Sequence, residues 1–333
     1  MQFDKPFGEM LTIVDPKEDD FDKWLQVPSA PYLERLDAMC AQWGDRLGVR
    51  FYDFWGKPFD AALVGQLPNV RNLSVDSLWE ARNLDAIARL EHLSKLHLGV
   101  FNLDDKTILG KLPIARLSEL ILSETNTKAL DLAPLANAAK LRRLYLAGHH
   151  KNIASLTALD RLQEFTFNAK KGLDLSFING MANLRALKFN LGGTASIADI
   201  QLPKLEDIAF TMVRNLVELG DMQRFPSLRR LFMQDQQQLE SARFGPGNTN
   251  LEHLWFYNCQ KLDRVEGLAD CNSLKSLRWI FTDRDPASLK LPKSLTHLHV
   301  LSGKRGAEAA EKAKIEAMGY VAGDHGDAWF FYK

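Results

Sequence analysis

The run Asn250-Leu251-Glu252-His253-Leu254-Trp255-Phe256-Tyr257-Asn258 places Leu251, Leu254 and Phe256 at offsets of 0, 3 and 5. On an α-helix those offsets point to about 0°, 300° and 140°, so the three cannot share a face. On a strand, Leu254 and Phe256 point to one side, and Leu251 turns in just before them. The trio is a short half-buried strand with its entry residue. One such strand cannot bury its apolar side alone, so its neighbours must come from elsewhere in the chain.

They recur at regular spacing. As first, fourth and sixth positions, the trio appears as Val70/Leu73/Val75, Leu93/Leu96/Leu98, Leu117/Leu120/Leu122, Leu141/Leu144/Leu146 and Leu162/Phe165/Phe167. It continues as Leu184/Leu187/Phe189, Leu205/Ile208/Phe210 and Leu228/Leu231/Met233, and after Leu251 as Leu274/Leu277/Trp279 and Leu295/Leu298/Val300. Successive first positions step by 23, 24, 24, 21, 22, 21, 23, 23, 23 and 21 residues. This period and the L-x-x-L-x-L core are those of a leucine-rich repeat. The expected fold is an α/β solenoid: a horseshoe with a parallel concave β-sheet of about eleven repeats and an α/β cap at each end. Only about fifteen residues separate successive strands, which predicts turns or single helical turns on the convex side. Leu239, Leu262 and Leu268 are the expected apolar anchors of these returns.

Three segments are expected: an N-terminal α/β cap over 1–67, the repeats over 68–302, and a helix–strand cap over 303–333. In the first, Ser29-Ala30-Pro31 opens a helix with Leu33, Leu36, Cys40, Trp43 and Leu47 as its apolar stripe and Gly48 as its stop. Residues 49–54 look like a strand, and 59–67 like a helical turn or two. The acidic run 15–20 reads as a solvated loop, since its spacing fits no calcium loop. In the last, residues 307–318 form a helix stopped by Gly319, and Trp329-Phe330-Phe331-Tyr332 a strand, predicting a right-handed parallel crossover.

The period and the short returns resemble the SDS22-like class of leucine-rich repeats, also found in bacterial internalin-type proteins. The resemblance covers roughly 68–302 and implies a binding scaffold whose concave sheet holds a protein. The usual Asn or Cys at the ninth position is kept by Cys259 but not by Phe101, Thr125 or Gln236, so a continuous asparagine ladder is not expected. Neither a surface anchor of the internalin kind nor a cysteine-centred ligase domain after the repeats is expected from these residues.

The totals agree with a binding module. The 333 residues are 46% hydrophobic, with 42 acidic and 42 basic residues, so no global field favours nucleic acid or an anionic membrane. The first ten residues carry no signal-like region, and no apolar run approaches a membrane span. Cys40, Cys259 and Cys271 are odd in number and far apart, which fits a reducing compartment and a cytoplasmic protein. Cys259 reads as a buried repeat residue.

Strand alternation sends positions three, five and seven onto the concave surface. The candidate partner-binding residues there are Arg230, Phe232, His253, Trp255, Tyr257, Arg278, Ile280 and His299, with Tyr145 in the first half. Phe232, Trp255 and Arg278 should form a row spanning about 10 Å. Exposed Trp, Tyr and Arg together are the chemistry of binding hot spots; the alternative is that these aromatics pack only on each other. Glu119, Glu164, Asp207, Arg143 and Arg230 are expected to set a partner's orientation. His297 and His299 share a side of one strand but lack a nearby third metal ligand, and the His325 loop and His149-His150 carry no recognisable site chemistry. No phosphate loop, nucleophile elbow, zinc-helix signature or paired C-x-x-C is present.

The reading is a non-catalytic protein-binding scaffold, without cofactor or metal and a monomer when free. Within it, a bacterial-type immunity protein that neutralises a toxin is a narrower expectation by analogy. Two other readings remain: an effector or regulatory subunit docking an enzyme, and a metal-dependent hydrolase using the histidine-bearing C-terminal end.

Overall fold

The computed structural model describes residues 10–12, 30–52, 58–126, 129–168, 173–282, 288–301, 306, 308–322 and 330–332. The acidic run 15–20, the His325 loop and Trp329 lie outside them. The chain forms two compact units, Met1–Leu162 and Gln163–Lys333.

In the first unit, strands Gly48–Phe51, Asn72–Leu78, Lys95–Val100, Glu119–Leu122 and Arg143–Ala147 lie side by side and parallel. Val49, Leu73, Leu96, Leu120 and Leu144 are in register, as are Phe51, Val75, Leu98, Leu122 and Leu146, and each is at most 2% exposed. Fourth and sixth positions therefore stack into continuous columns, which is how the repeat buries an apolar side that no single strand could cover. The parallel pairing starts ahead of Val70, because Gly48–Phe51 is itself in register and Met10–Thr12 pairs parallel with it.

The helix Ala30–Trp43 buries Leu33, Leu36 and Cys40 on its expected stripe, and Leu47 is buried just beyond it. Two expectations fail at its end. Gly44, at φ +55°, turns the chain, while Gly48 already belongs to the following strand. Trp43 is 45% exposed, because the stripe ends where the helix does, and its ring carries the Arg46 guanidinium at 5.2 Å.

The second unit repeats the pattern in strands Glu164–Asn168, Ala186–Asn190, Asp207–Thr211, Arg230–Gln234, His253–Tyr257, Ser276–Ile280 and His297–Leu301. Phe165, Leu187, Ile208, Leu231, Leu254, Leu277 and Leu298 form one buried column in register. The sixth-position column is largely aromatic, with Phe167 and Phe189 stacked at 5.9 Å and Phe256 edge-on to Trp279 at 5.3 Å.

The returns are short, as expected, and mostly one or two 3₁₀ turns such as Leu268–Asp270, Leu84–Arg89 and Ile153–Ala158. Leu239, Leu262 and Leu268 are buried anchors. Unexpected is a second parallel sheet on the return side, formed by Glu218–Asp221, Ser241–Arg243 and Arg264–Glu266. The helix Glu308–Ala317 forms, and Gly319 follows at φ +86°. The final strand, however, is not parallel. Phe330–Tyr332 runs antiparallel to both His297–Leu301 and Val321–Ala322. The helical crossover thus lands one strand further out, on Val321–Ala322, and the tail folds back into the gap. Among the described residues no helix is long and apolar enough to cross a membrane.

Two repeat positions acquire roles invisible in the apolar pattern. At the eighth position Ser77, Gly148, Leu191, Met212, Asp235, Asn258 and Phe281 all have φ between +52° and +74°. The amides of Leu191, Met212, Asp235 and Asn258 each donate to the seventh-position carbonyl of the next coil. At the ninth position Gln236 donates from Nε2 to the carbonyls of Phe210 (3.0 Å) and Gln234 (2.8 Å). Cys259 reaches the equivalent Met233 and Tyr257 carbonyls, each at 3.6 Å. Gln236 therefore fills the place the sequence reading denied it, because its longer amide spans the same two carbonyls. His149 also sits at a ninth position, 1% exposed, with Nε2 2.9 Å from the Ser123 carbonyl and Nδ1 3.2 Å from the Leu130 amide. Rather than lying idle on a loop, it satisfies two backbone groups.

Candidate protein-binding face

Because fourth and sixth positions are buried, the third, fifth and seventh positions of the second unit's strands face outward. At the fifth position Phe232, Trp255, Arg278 and His299 are neighbours in strand register. The Phe232 ring meets the Trp255 indole edge-on at 5.9 Å, and the Arg278 guanidinium lies 4.8 Å from the indole centroid on the next strand. His253 adds a tilted ring 6.2 Å from Trp255. The indole is thus held upright between an aromatic edge and a cation, and is half-buried. The aromatics pack on one another, and the packed row still faces outward.

The polar groups of this row are unequally served. Trp255 Nε1 is buried without a hydrogen-bond partner among the described residues. Arg278 is exposed and makes no ion pair among the described residues. Arg230, by contrast, is held by both carboxylate oxygens of Asp207. Burial pushes the His253 imidazole below its ordinary pKa.

At the seventh position Tyr257 is 37% exposed, with its ring 5.5 Å from that of Phe281. Ile280 departs from expectation. It is only 8% exposed, since it lies in register between Tyr257 and Leu301, whose side chains flank it. His299 is half-buried beside Arg278 and Phe330 in register. Its neighbour His297 faces the Tyr332 ring at 5.2 Å. Tyr145 belongs to the first unit, half-buried in register with Ile121. Glu119 there holds Arg143 at 3.2 Å and Lys95 at 3.5 Å, so these charges are occupied with each other.

The outward face of the first unit carries a polar cluster that reading residues singly did not assemble. Arg50 grips Asp76 with Nε and Nη2 at 2.8 and 2.6 Å. The Ser74 hydroxyl donates to Asp76 at 2.5 Å and lies 3.0 Å from His97 Nδ1, whose Nε2 is 2.8 Å from Ser123 Oγ. Gly99 makes this approach possible: a Cβ there would sit 3.0 Å from both Asp76 Cβ and Ser123 Oγ. Burial raises the Asp76 carboxyl, but hydrogen bonds from Arg50 and Ser74 outweigh it and hold it below the usual range. Burial keeps His97 below its ordinary value. The carboxylate is spent on Arg50 and the serines, and His97 Nδ1 is 3.8 Å from it. The cluster ties four strands together. A column-by-column reading would have found it, since Ser74 and His97 are fifth-position residues and Asp76 and Ser123 seventh-position ones.

Among the described residues no group of three or more His, Cys, Asp or Glu side chains is placed to hold a metal ion. All three cysteines are buried and free.

No protein-family model matches the sequence, and a search of curated proteins found no match. Solved structures do share the architecture. An internalin from Listeria monocytogenes is 20% identical over 73% of this chain and 76% of its own, with a TM-score of 0.48. A leucine-rich repeat protein of Leptospira interrogans is 16% identical over 79% and 88%, with a TM-score of 0.41. The leucine-rich repeat domain of APL1 is 18% identical over 80% and 71%, with a TM-score of 0.43. These likenesses bring no partner or activity to this chain; the assignment stands on its own columns, period and short returns. By those features the chain is a leucine-rich repeat solenoid.

Proposed function

We propose that this protein is a non-catalytic scaffold that holds a protein partner on the outward strand face of its second unit. The observation that carries the reading is the Phe232–Trp255–Arg278 row, an indole fixed between a ring edge and a guanidinium on a solvent-facing sheet. Its backing is a column of leucines at most 1% exposed from Leu231 to Leu298, so the face is rigid before a partner arrives and binding loses little conformational entropy. Trp255 is the anchor, Phe232 and Tyr257 extend the apolar contact, and Arg278 and His253 supply its polar rim. Arg230, already paired, fixes the edge of the row. Ile280 supports Tyr257 from beneath, and His299 closes the row. Tyr145 marks a separate contact on the first unit. The narrower reading is a cytoplasmic, bacterial-type protein dedicated to one partner, such as an immunity protein bound to a toxin; a toxin gene beside its own would support that role.

The test is a pulldown from native lysate with wild type and a Trp255→Ala/Tyr257→Ala/Arg278→Ala variant, read by mass spectrometry. One protein recovered stoichiometrically by wild type alone is the expected result. Recovery of the same protein by both baits would move the site off this face. Trp255→Ala by itself should cost about 1 kcal/mol of stability, since the ring is half-buried and not core.

A further inference from the structure

Resting on that reading, we infer that the partner is acidic where it meets the row, and that it seats a carboxylate on Arg278 beside the Trp255 indole. Across the four strands from Arg230–Gln234 to His297–Leu301, the third, fifth and seventh positions hold two arginines and three histidines but no aspartate or glutamate. In a chain of zero net charge, that absence is local and not compositional.

The other cations around the row already have their anions. Arg230 is bound by Asp207, and Glu252 holds Arg229 at 2.7 Å and Lys275 at 2.9 Å. Arg278 has none among the described residues, yet its guanidinium is fixed over the indole at 4.8 Å. The contact with the indole engages the guanidinium's charge and leaves its N–H edges without an ion-pair partner among the described residues. Those edges present the fork that matches a carboxylate with two parallel hydrogen bonds, and a guanidinium held in this way has less freedom to lose on forming them. The Trp255 N–H has no acceptor among the described residues but is buried, so the Arg278 edges are the donors this row presents to a partner. Phe232, Trp255 and Tyr257 around it favour a protein surface mixing acidic and apolar side chains. A nucleic-acid strand would need a longer run of free cations to follow its phosphates.

A phage-displayed library of random dodecapeptides, panned on the full chain and compared with the unselected library, tests this. The enriched peptides should carry Asp or Glu next to an apolar residue. Their affinity should fall about tenfold or more on Arg278→Leu, and panning on Arg278→Glu should select Lys or Arg in their place. Peptides without excess carboxylates, or acidic ones that bind Arg278→Leu as tightly as wild type, overturn the inference; if they still lose binding on Phe232→Ala/Trp255→Ala, the binding face itself stands. Peptides indifferent to Phe232→Ala/Trp255→Ala, or no enrichment, overturn both. Arg278 is exposed, so its variants should melt as wild type does, and melting curves check this.

Discussion

His149 makes two opposite hydrogen bonds with one ring. Its Nε2–H donates to the Ser123 carbonyl, and its Nδ1 accepts the Leu130 N–H, so only the neutral tautomer fits. A second proton would face an N–H. Burial is the largest cause holding this imidazole below its ordinary 6.5, and the Ser123 hydrogen bond and the Glu124 charge only partly oppose it. The sign follows: the unfolded chain takes the proton at higher pH than the folded one. The contribution of His149 is therefore complete above pH of about 6.5 and is lost as pH falls from there toward the depressed folded value. His97 acts in the same direction. His149→Gln, whose amide can both donate and accept, should make the loss of stability between pH 7 and 5 shallower. Chemical denaturation at several pH values measures it, and an unchanged pH slope would show that the ring titrates freely in the folded state.

Among the described residues, seven coils end their strand with a left-handed residue, and that position suits its occupants unequally. Asn258 and Asp235 belong to the few types that tolerate φ near +54°, and Asn258 also donates to Asp235 at 2.6 Å. Leu191, Met212 and Phe281 hold the same conformation with no side chain suited to it, at a cost on the order of 1 kcal/mol each. Met212 is 50% exposed, so replacing it forfeits little burial. Met212→Asn should stabilise the second unit by about 0.5–1 kcal/mol in urea unfolding, and a destabilised variant would mean the thioether packs in a way its exposure hides. At this scale the sequence was only half legible. Columns four and six were readable because burial demands apolar residues at a fixed period. Column eight was not, because its requirement is a backbone angle that leucine, methionine and phenylalanine do not announce. Trp43 misled in another way: it keeps the apolar period to the last residue of the helix yet is exposed there, while Leu47 beyond the helix end is buried.

Stability in an array of coils is passed between neighbours. Leu254 is fully buried, in register with Leu231 and Leu277. Leu254→Asp puts an unpaired charge into that column and should unfold the coils on either side, at a cost of several kcal/mol. Hydrogen exchange should show lost protection from the Arg230 strand to the Arg278 strand; protection equal to wild type would mean that this column is not the core. At the scale of the units, the architecture was legible from ten spacings alone. Of the binding face, the row Phe232–Trp255–Arg278 was legible because alternation fixes side as well as spacing. The cover over Ile280 was not, since it depends on the sizes of two neighbours in other coils. The reversal of Phe330–Tyr332 was not either, since strand direction leaves no trace in composition.

The three thiols acquire a further meaning from where they lie. Burial pushes Cys40 and Cys271 up to about 11 and Cys259 up to about 12, so at neutral pH none offers the thiolate that electrophiles attack. Each becomes reactive only when its own part of the array comes apart. Cys40 sits in the helix of the first unit, and Cys259 and Cys271 both lie in the coil of the second that begins at Leu251. The molecule thus carries native clocks of its own breathing, one in the first unit and a pair in a single coil of the second, silent while the coils are closed.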